Sequence, residues 1–350
     1  MALALGFAWD KGAQYTQQLI LPGLAVVMTL SSMGVSSEVF RSPRSLLYST
    51  LIGIAGNFIL HVLVLIGLNA LIIRDQFFWT GFILLAAVPP AVAVIPFAFF
   101  LKGNMELALL GTIGAYLSAL VITPAIALMF LGTGLISPVK LLMILGELII
   151  GPLVVSRILL GTGLSTKIDP YKGPITNWSF FLVIYIMTGL NRNIFFEQPL
   201  SIVPVAIIAI LTTFVLGWLI QKIGDYLCFE KSILTSFMLL STFKNYGLSG
   251  ALALVFFGPQ TAVPSTVTSA VGILYFIWLE TQAKRKEGLS FPLPAPKAQI
   301  DSVTSCLLNF FLWLPCKHPA ESTHEFHAHR ENNQGEADNG KPRYRNCRSI

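Results

Sequence analysis

Long apolar runs separated by short polar joints dominate the first 283 residues. Nine can be marked, at 19–36, 45–71, 78–101, 104–131, 139–160, 175–191, 200–221, 233–257 and 261–282. Runs of roughly 18–28 residues are long enough, as helices, to cross a hydrocarbon core about 30 Å thick. Lipid cannot satisfy exposed peptide groups, so such spans must be helical. The alternating ten-residue segments of a membrane β-barrel are missing. The pattern predicts an all-α membrane protein of about nine transmembrane helices.

Two runs are apolar yet damaged inside. The third reads AAVPPAVAVIPF, with Pro89, Pro90 and Pro96 where a helix interior is expected. Each interior proline removes a backbone donor and crowds the preceding turn, at about 3 kcal/mol. The eighth reads STFKNYGLSG, with Lys244, Asn245, Gly247 and Gly250 near its middle. Interrupted helices at corresponding places in two halves point to two inverted repeats whose broken, crossing helices meet near the membrane midplane. Each is followed by another apolar run, 104–131 or 261–282, as that arrangement requires. The plainer alternative is a proline kink and an unrelated polar patch.

Composition then works by exclusion. The 350 residues are 54% hydrophobic and 11% charged, with a mean hydropathy of +0.72, against about a quarter charged in soluble domains. A water-soluble enzyme, a nucleic-acid-binding module and a disordered scaffold are all excluded. The basic balance, +6 at pH 7, belongs to membrane loops. Of the cations before residue 287, eleven, including Arg41, Arg157, Lys172 and Lys231, fall at one set of run ends. Only Lys11, Arg74, Lys140 and Arg192 fall at the other set. The positive-inside rule then puts the N-terminus outside and the C-terminus in the cytoplasm. No cleavable signal peptide is expected, and MALALGFAW within 1–18 reads as the stub of a tenth, first helix. Charge density rises sharply beyond residue 283, so 283–350 reads as a largely disordered cytoplasmic tail. Within it VTSCLLNFFLWL is too short to span and suits the membrane surface. His318, His324, His327 and His329 have no defined metal spacing, and the four cysteines form no CxxC.

Three segments carry a resemblance to the bile acid:sodium symporter family. MGVSSEVF (33–40) is similar to the pattern after the family's first helix. PPAVAVIPFAFFLKGNMELALLG (89–111), continuing through Thr123-Pro124, resembles its proline- and glycine-rich crossover. LLSTFKNYGLSGALAL (239–254) resembles the second crossover. The resemblance spans about 19–282. It implies a core transport domain from 45–131 and 200–282, a panel domain from 19–36 and 139–191, and alternating-access transport of organic anions coupled to sodium. It also implies sodium ligation by Thr112, with Asn57 standing where the family usually has glutamine. The other sodium positions depart: Val94 and Ile95 replace a Ser-Asn pair, Ala108 a serine, Leu240 a glutamate and Lys244 a glutamine. A site that has lost its carboxylate and gained an ammonium repels a second cation strongly.

Lys244 is the leading candidate, because a lysine at the bilayer centre faces an interior or a wet cavity. Its ammonium would stand in for sodium against the carbonyl end of a broken helix, pair with an anionic substrate, or carry a proton through the cycle. A purely structural tie between frayed carbonyls is the competing reading. Glu106, two residues after Asn104, reads as first-turn charge on a capped helix more than as a proton site. Glu147, well inside the 139–160 run, reads as a proton carrier or gate lining the core–panel cavity, or as a bonded structural carboxylate. His61 reads as packed. Asn245 and Gly247 suit an unwound backbone, and Gly103-Asn104 a tight turn.

The expectation is a secondary-active transporter of a small or amphipathic organic anion, coupled to protons or uncoupled rather than to sodium. Its partners would be that anion, the lipid bilayer and a proton or sodium ion, with no cofactor, no metal and no nucleic acid. The alternatives are a cation/proton antiporter of related fold and a transport-inactive membrane sensor or assembly protein. With no paired intramembrane His, Asp or Ser constellation, an enzyme is not expected.

Overall fold

The computed structural model describes residues 1–33, 43–132, 134 and 136–286. The MGVSSEVF motif beyond Met33, Arg41 and the 287–350 tail, with its histidines and VTSCLLNFFLWL, lie outside the described residues. Among the described residues there is no strand. Six helices are long and apolar enough to cross a membrane: Leu46–Ile72, Met105–Leu131, Pro138–Gly161, Ser165–Leu190, Pro199–Tyr226 and Pro259–Arg285. The chain is an all-α, multi-pass integral membrane protein.

The first elements are α1 (Ala2–Ala8), α2 (Asp10–Thr16) and α3 (Ile20–Ser32). Helix α4 runs from Pro43–Ile54 through a π-helical turn, Ala55–Leu60, into His61–Ile72. The 78–101 run folds as two helices, α5 (Gln76–Ala87) and α6 (Val94–Phe100), before α7 (Met105–Leu131). Helix α8 (138–161) carries a second π turn at Gly146–Ile150 and leads to α9 (Ser165–Leu190) and the short α10 (Arg192–Glu197). Helix α11 (199–226) has a third π turn at Leu211–Val215. The 233–257 run also divides, into α12 (Lys231–Thr242) and α13 (Tyr246–Phe256), before α14 (Val263–Lys286).

Local chemistry sets several of these starts. Asp75 accepts from the Phe78 amide at 2.9 Å to open α5, and Asn104 from the Leu107 amide at 2.8 Å to open α7. Each satisfies an amide that the first helical turn leaves without a partner. Packing in turn relies on small residues where helices cross. A Cβ on Gly53 would lie 2.6 Å from the Gly111 carbonyl oxygen, so α4 and α7 meet backbone to backbone. Membrane helices gain van der Waals contact by such close approach, since lipid removes the hydrophobic drive between them.

The N-terminal stretch folds as two short helices. Its two helices lie on the end of α9, where the Tyr185 hydroxyl donates to the Trp9 carbonyl at 2.9 Å. Arg192 Nε donates to the Phe7 carbonyl at 2.7 Å, and Ala13 is fully buried.

Candidate functional site

The first break follows directly from its prolines. Val88, held extended at φ −76° and ψ 155°, precedes Pro89, whose ring disfavours a helical residue before it. Pro89 and Pro90 occupy the unwound segment. Pro96 does not: it lies in the first turn of α6, where a missing N–H is tolerated. The second break is Phe243, Lys244 and Asn245, with Phe243 extended at φ −102° and ψ 112°. The two unwound segments pair as a short antiparallel bridge between Pro90 and Lys244. The Ala91 amide donates to the Phe243 carbonyl at 3.0 Å, and the Asn245 amide to the Pro89 carbonyl at 2.9 Å. Backbone groups freed by breaking one helix are thus satisfied by breaking another.

Gly247 and Gly250, expected to loosen the second break, are helical residues of α13. Their role is close approach. A Cβ on Gly247 would meet Leu24 of α3 at 2.8 Å, and one on Gly250 would run into Met187 of α9.

Lys244 is fully buried. Its Nζ donates to the carbonyls of Asn57 at 3.0 Å, Ala86 at 2.8 Å and Val88 at 3.0 Å. An ammonium has three protons, so these bonds use all of them. The Phe58 ring centroid lies 5.1 Å from the same nitrogen, within reach of a cation–π attraction. Ala86 and Val88 lie at the C-terminal end of α5, where carbonyls lack helical partners and positive charge is favoured. Thr123 of α7 closes the set by donating to the intervening Ala87 carbonyl at 2.7 Å. The ammonium therefore caps the carbonyl end of α5, the helix interrupted at the first break, with all three of its N–H groups used.

Asn57 takes part through its backbone. Its carbonyl, in the π turn of α4, receives Lys244, its Nδ2 reaches the Val88 carbonyl at 3.3 Å, and its Oδ1 has no partner among the described residues. Asn245 caps α13 by accepting from the Leu248 amide at 3.0 Å and donates to the Tyr116 hydroxyl at 2.8 Å. His61 is buried, and its Nδ1 donates to the Ser241 carbonyl at 2.6 Å, near the end of α12.

The remaining candidates are dispersed. Thr112 is buried with its hydroxyl unpartnered among the described residues, beside a small cavity of about 50 Å³. It is not among the groups that hold Lys244. Glu106 is exposed in the first turn of α7, behind the Asn104 cap. Glu147 is exposed on the π turn of α8 and is not among the lining residues of the four cavities described. The helical repeat turns it outward while Leu148 and Ile149 face inward.

A cavity of about 150 Å³ lies beside both breaks, with α3, α9 and α14 forming its other walls. Its lining is chiefly apolar, including Leu24, Met28, Val183 and Met187. A larger cavity of about 820 Å³ shares Val92, Ala93, Asn177 and Phe180 with it and has Asp169 and Lys172 in its wall. Asn177 of α9 is 6% exposed, and its Nδ2 has no partner among the described residues. A mainly apolar cleft beside unwound backbone is suited to holding a small amphipathic molecule.

Sequence reasoning did not single out Asn177 or Tyr116, and it named Thr123 only within the extent of the first crossover. Each is a polar residue inside an apolar run, a signal that exists but does not reveal which face it takes. Among the described residues no group of three His, Cys, Asp or Glu side chains could hold a metal. In comparisons with known proteins, no family model and no curated protein matches the chain.

Proposed function

We propose that this chain is a secondary-active transporter of a small or amphipathic organic anion, working by alternating access, with the Lys244 ammonium built in where a coupling sodium ion would otherwise bind. The observation that carries the reading is the set of three carbonyls, from Asn57, Ala86 and Val88, holding one ammonium where two unwound segments pair. A cation is needed there to neutralise the carbonyl end of α5, and a covalently attached one never leaves. A sodium ion a few Å away would meet strong repulsion across a low-dielectric interior. Proton-coupled or uncoupled transport follows.

Several features support the remainder of the reading. A helix with a π turn, a broken pair and a long helix occur in that order twice, as α4 to α7 and as α11 to α14. This favours two inverted repeats and nine spans: the six long helices, the two broken pairs and α3. Resemblance of the two crossover segments to the bile acid:sodium symporter family fits the same plan, with α3, α8 and α9 as panel. The excess of cations at one set of helix ends favours a cytoplasmic C-terminus.

The test is uptake into proteoliposomes of radiolabelled organic anions, hexanoate and taurocholate among them, with and without a sodium gradient and from pH 5 to 8. Uptake that needs no sodium is expected. Strict sodium dependence that persists unchanged in Lys244→Gln would overturn the built-in cation, and absence of uptake for every anion would overturn transport.

A further inference from the structure

One wall of the 150 Å³ cavity is a face of α9, formed by Asn177, Phe180, Val183, Ile184 and Met187. Steps of three or four residues keep side chains on one side of a helix. The cavity therefore follows α9 for about 15 Å, at 1.5 Å per residue. Its two ends differ. Asn177 and Phe180 also border the 820 Å³ cavity, whereas Met187 stands at the end away from it.

Met187 is 3% exposed, and the end of its side chain rests on α13. A Cβ on Gly250 would run into the Met187 Cε and lie 2.7 Å from its Sδ, while the next neighbour, the Ser265 Cβ, is 3.6 Å away. The glycine thus leaves a notch that one thioether fills. Leu24 of α3 sits in the same way at Gly247, 2.8 Å from where a Cβ would be. The two seated side chains differ in freedom. Methionine is unbranched, with three rotatable bonds, and adapts to irregular gaps. Met187 is accordingly the adjustable part of this wall.

An apolar cavity of about 150 Å³ takes a benzene-sized guest. We infer that Met187 is the specificity-determining residue that sets the size limit of this cavity. An apolar body of about six carbons fits while the thioether occupies the Gly250 notch, and a longer body entering from the larger cavity runs up against it. The inference deepens the transport reading by naming the body of the amphipathic molecule. It rests on that reading for the charge of the head group and for the ligand's movement.

The test measures binding of straight-chain alcohols, butan-1-ol to decan-1-ol, to the full chain in lipid nanodiscs by calorimetry, with the signal from empty nanodiscs subtracted. In the parent, affinity should rise about fourfold per added methylene as far as hexan-1-ol and then level off. Met187→Ala removes Cγ, Sδ and Cε from the wall and should extend the rise to octan-1-ol. Gly250→Ala should shorten it to butan-1-ol or pentan-1-ol, because the new methyl group takes the notch and turns the thioether toward the cavity. Only the end of a flexible side chain is displaced, so this variant should fold. The double variant should keep the longer limit of Met187→Ala, since Ser265 leaves ordinary room for the added methyl group. An unmoved limit in Met187→Ala, a limit that Gly250→Ala fails to shorten, or an even rise to decan-1-ol in the parent would overturn the assignment. Uptake of carboxylates from butanoate to decanoate in proteoliposomes separates the two readings. Alcohol limits that shift as stated, with no carboxylate taken up by the parent, keep the size limit and refute transport. Uptake with the same chain-length preference in the parent and Met187→Ala keeps transport and refutes the size limit.

Discussion

The two breaks reach the same backbone conformation by opposite chemistry. At the first, Pro89 and Pro90 remove donors, so the helix stops because it lacks the hydrogens to continue. At the second there is no proline. Lys244 turns its three N–H groups on the carbonyls of α4 and α5, and Asn245 caps the helix that follows. The first break leaves acceptors open and the second supplies the donors, so neither is complete alone. That interdependence explains how a lysine is tolerated at full burial. Removing its charge from water is costly, but it supplies donors to the carbonyl end of α5, where helical partners are missing.

The comparison breaks most decisively at Lys244. Lys244→Met keeps much of the side-chain length while removing the donor to three carbonyls, of which Val88's retains the Asn57 amide, and should cost about 2–4 kcal/mol, since each buried acceptor left unsatisfied costs about 1–3 kcal/mol. It should appear as a large fall in melting temperature in nanodiscs, or as loss of monodisperse protein. A melting temperature equal to the parent's would mean that the carbonyl end of α5 needs no cation. Asn245→Ala comes next, since it removes a helix cap and the bond to Tyr116, at about 1–2 kcal/mol. Asn245→Asp retains the cap and should recover part of that loss. The smallest effect belongs to Pro89→Ala. Its carbonyl still accepts from the Asn245 amide, so only added freedom in the unfolded chain is expected, at about 0.4–1 kcal/mol. If Pro89→Ala proved as damaging as Lys244→Met, the division into a donor-poor and a donor-supplying break would be wrong.

How much of this was legible beforehand depended on the range of the interaction. Both interruptions could be placed because proline and lysine inside an apolar run violate local rules whatever surrounds them. The end of α5 and its extended Val88 follow from Pro89 alone, and the Asn104 cap from the residues beside it. Pro96 and the two glycines show the limit of that reasoning. A proline in the first turn of a helix looks the same in sequence as one in a break. Gly247 and Gly250 looked like flexible backbone but are contact points for Leu24 and Met187, residues more than 60 positions or more than 200 positions away. The outward face of Glu147 was unreadable for a related reason: a long, mostly apolar helix gives no clear stripe from which to tell its inner face. Asn177 was overlooked because one polar residue in an apolar run has the same signature whether it faces a wall or a cavity.

By itself, the sequence determined an apolar, all-helical membrane chain, the positions of its two interruptions and the scarcity of charge that makes Lys244 conspicuous. These depend on segment length, local backbone chemistry and the cost of polar groups in lipid, all readable within a few turns. Only the tertiary structure decided that the lysine is spent on carbonyls 156 to 187 residues away, that Glu147 faces outward and that Asn177 borders two cavities. Those facts depend on which helix faces meet, and a single helix carries no record of its neighbours.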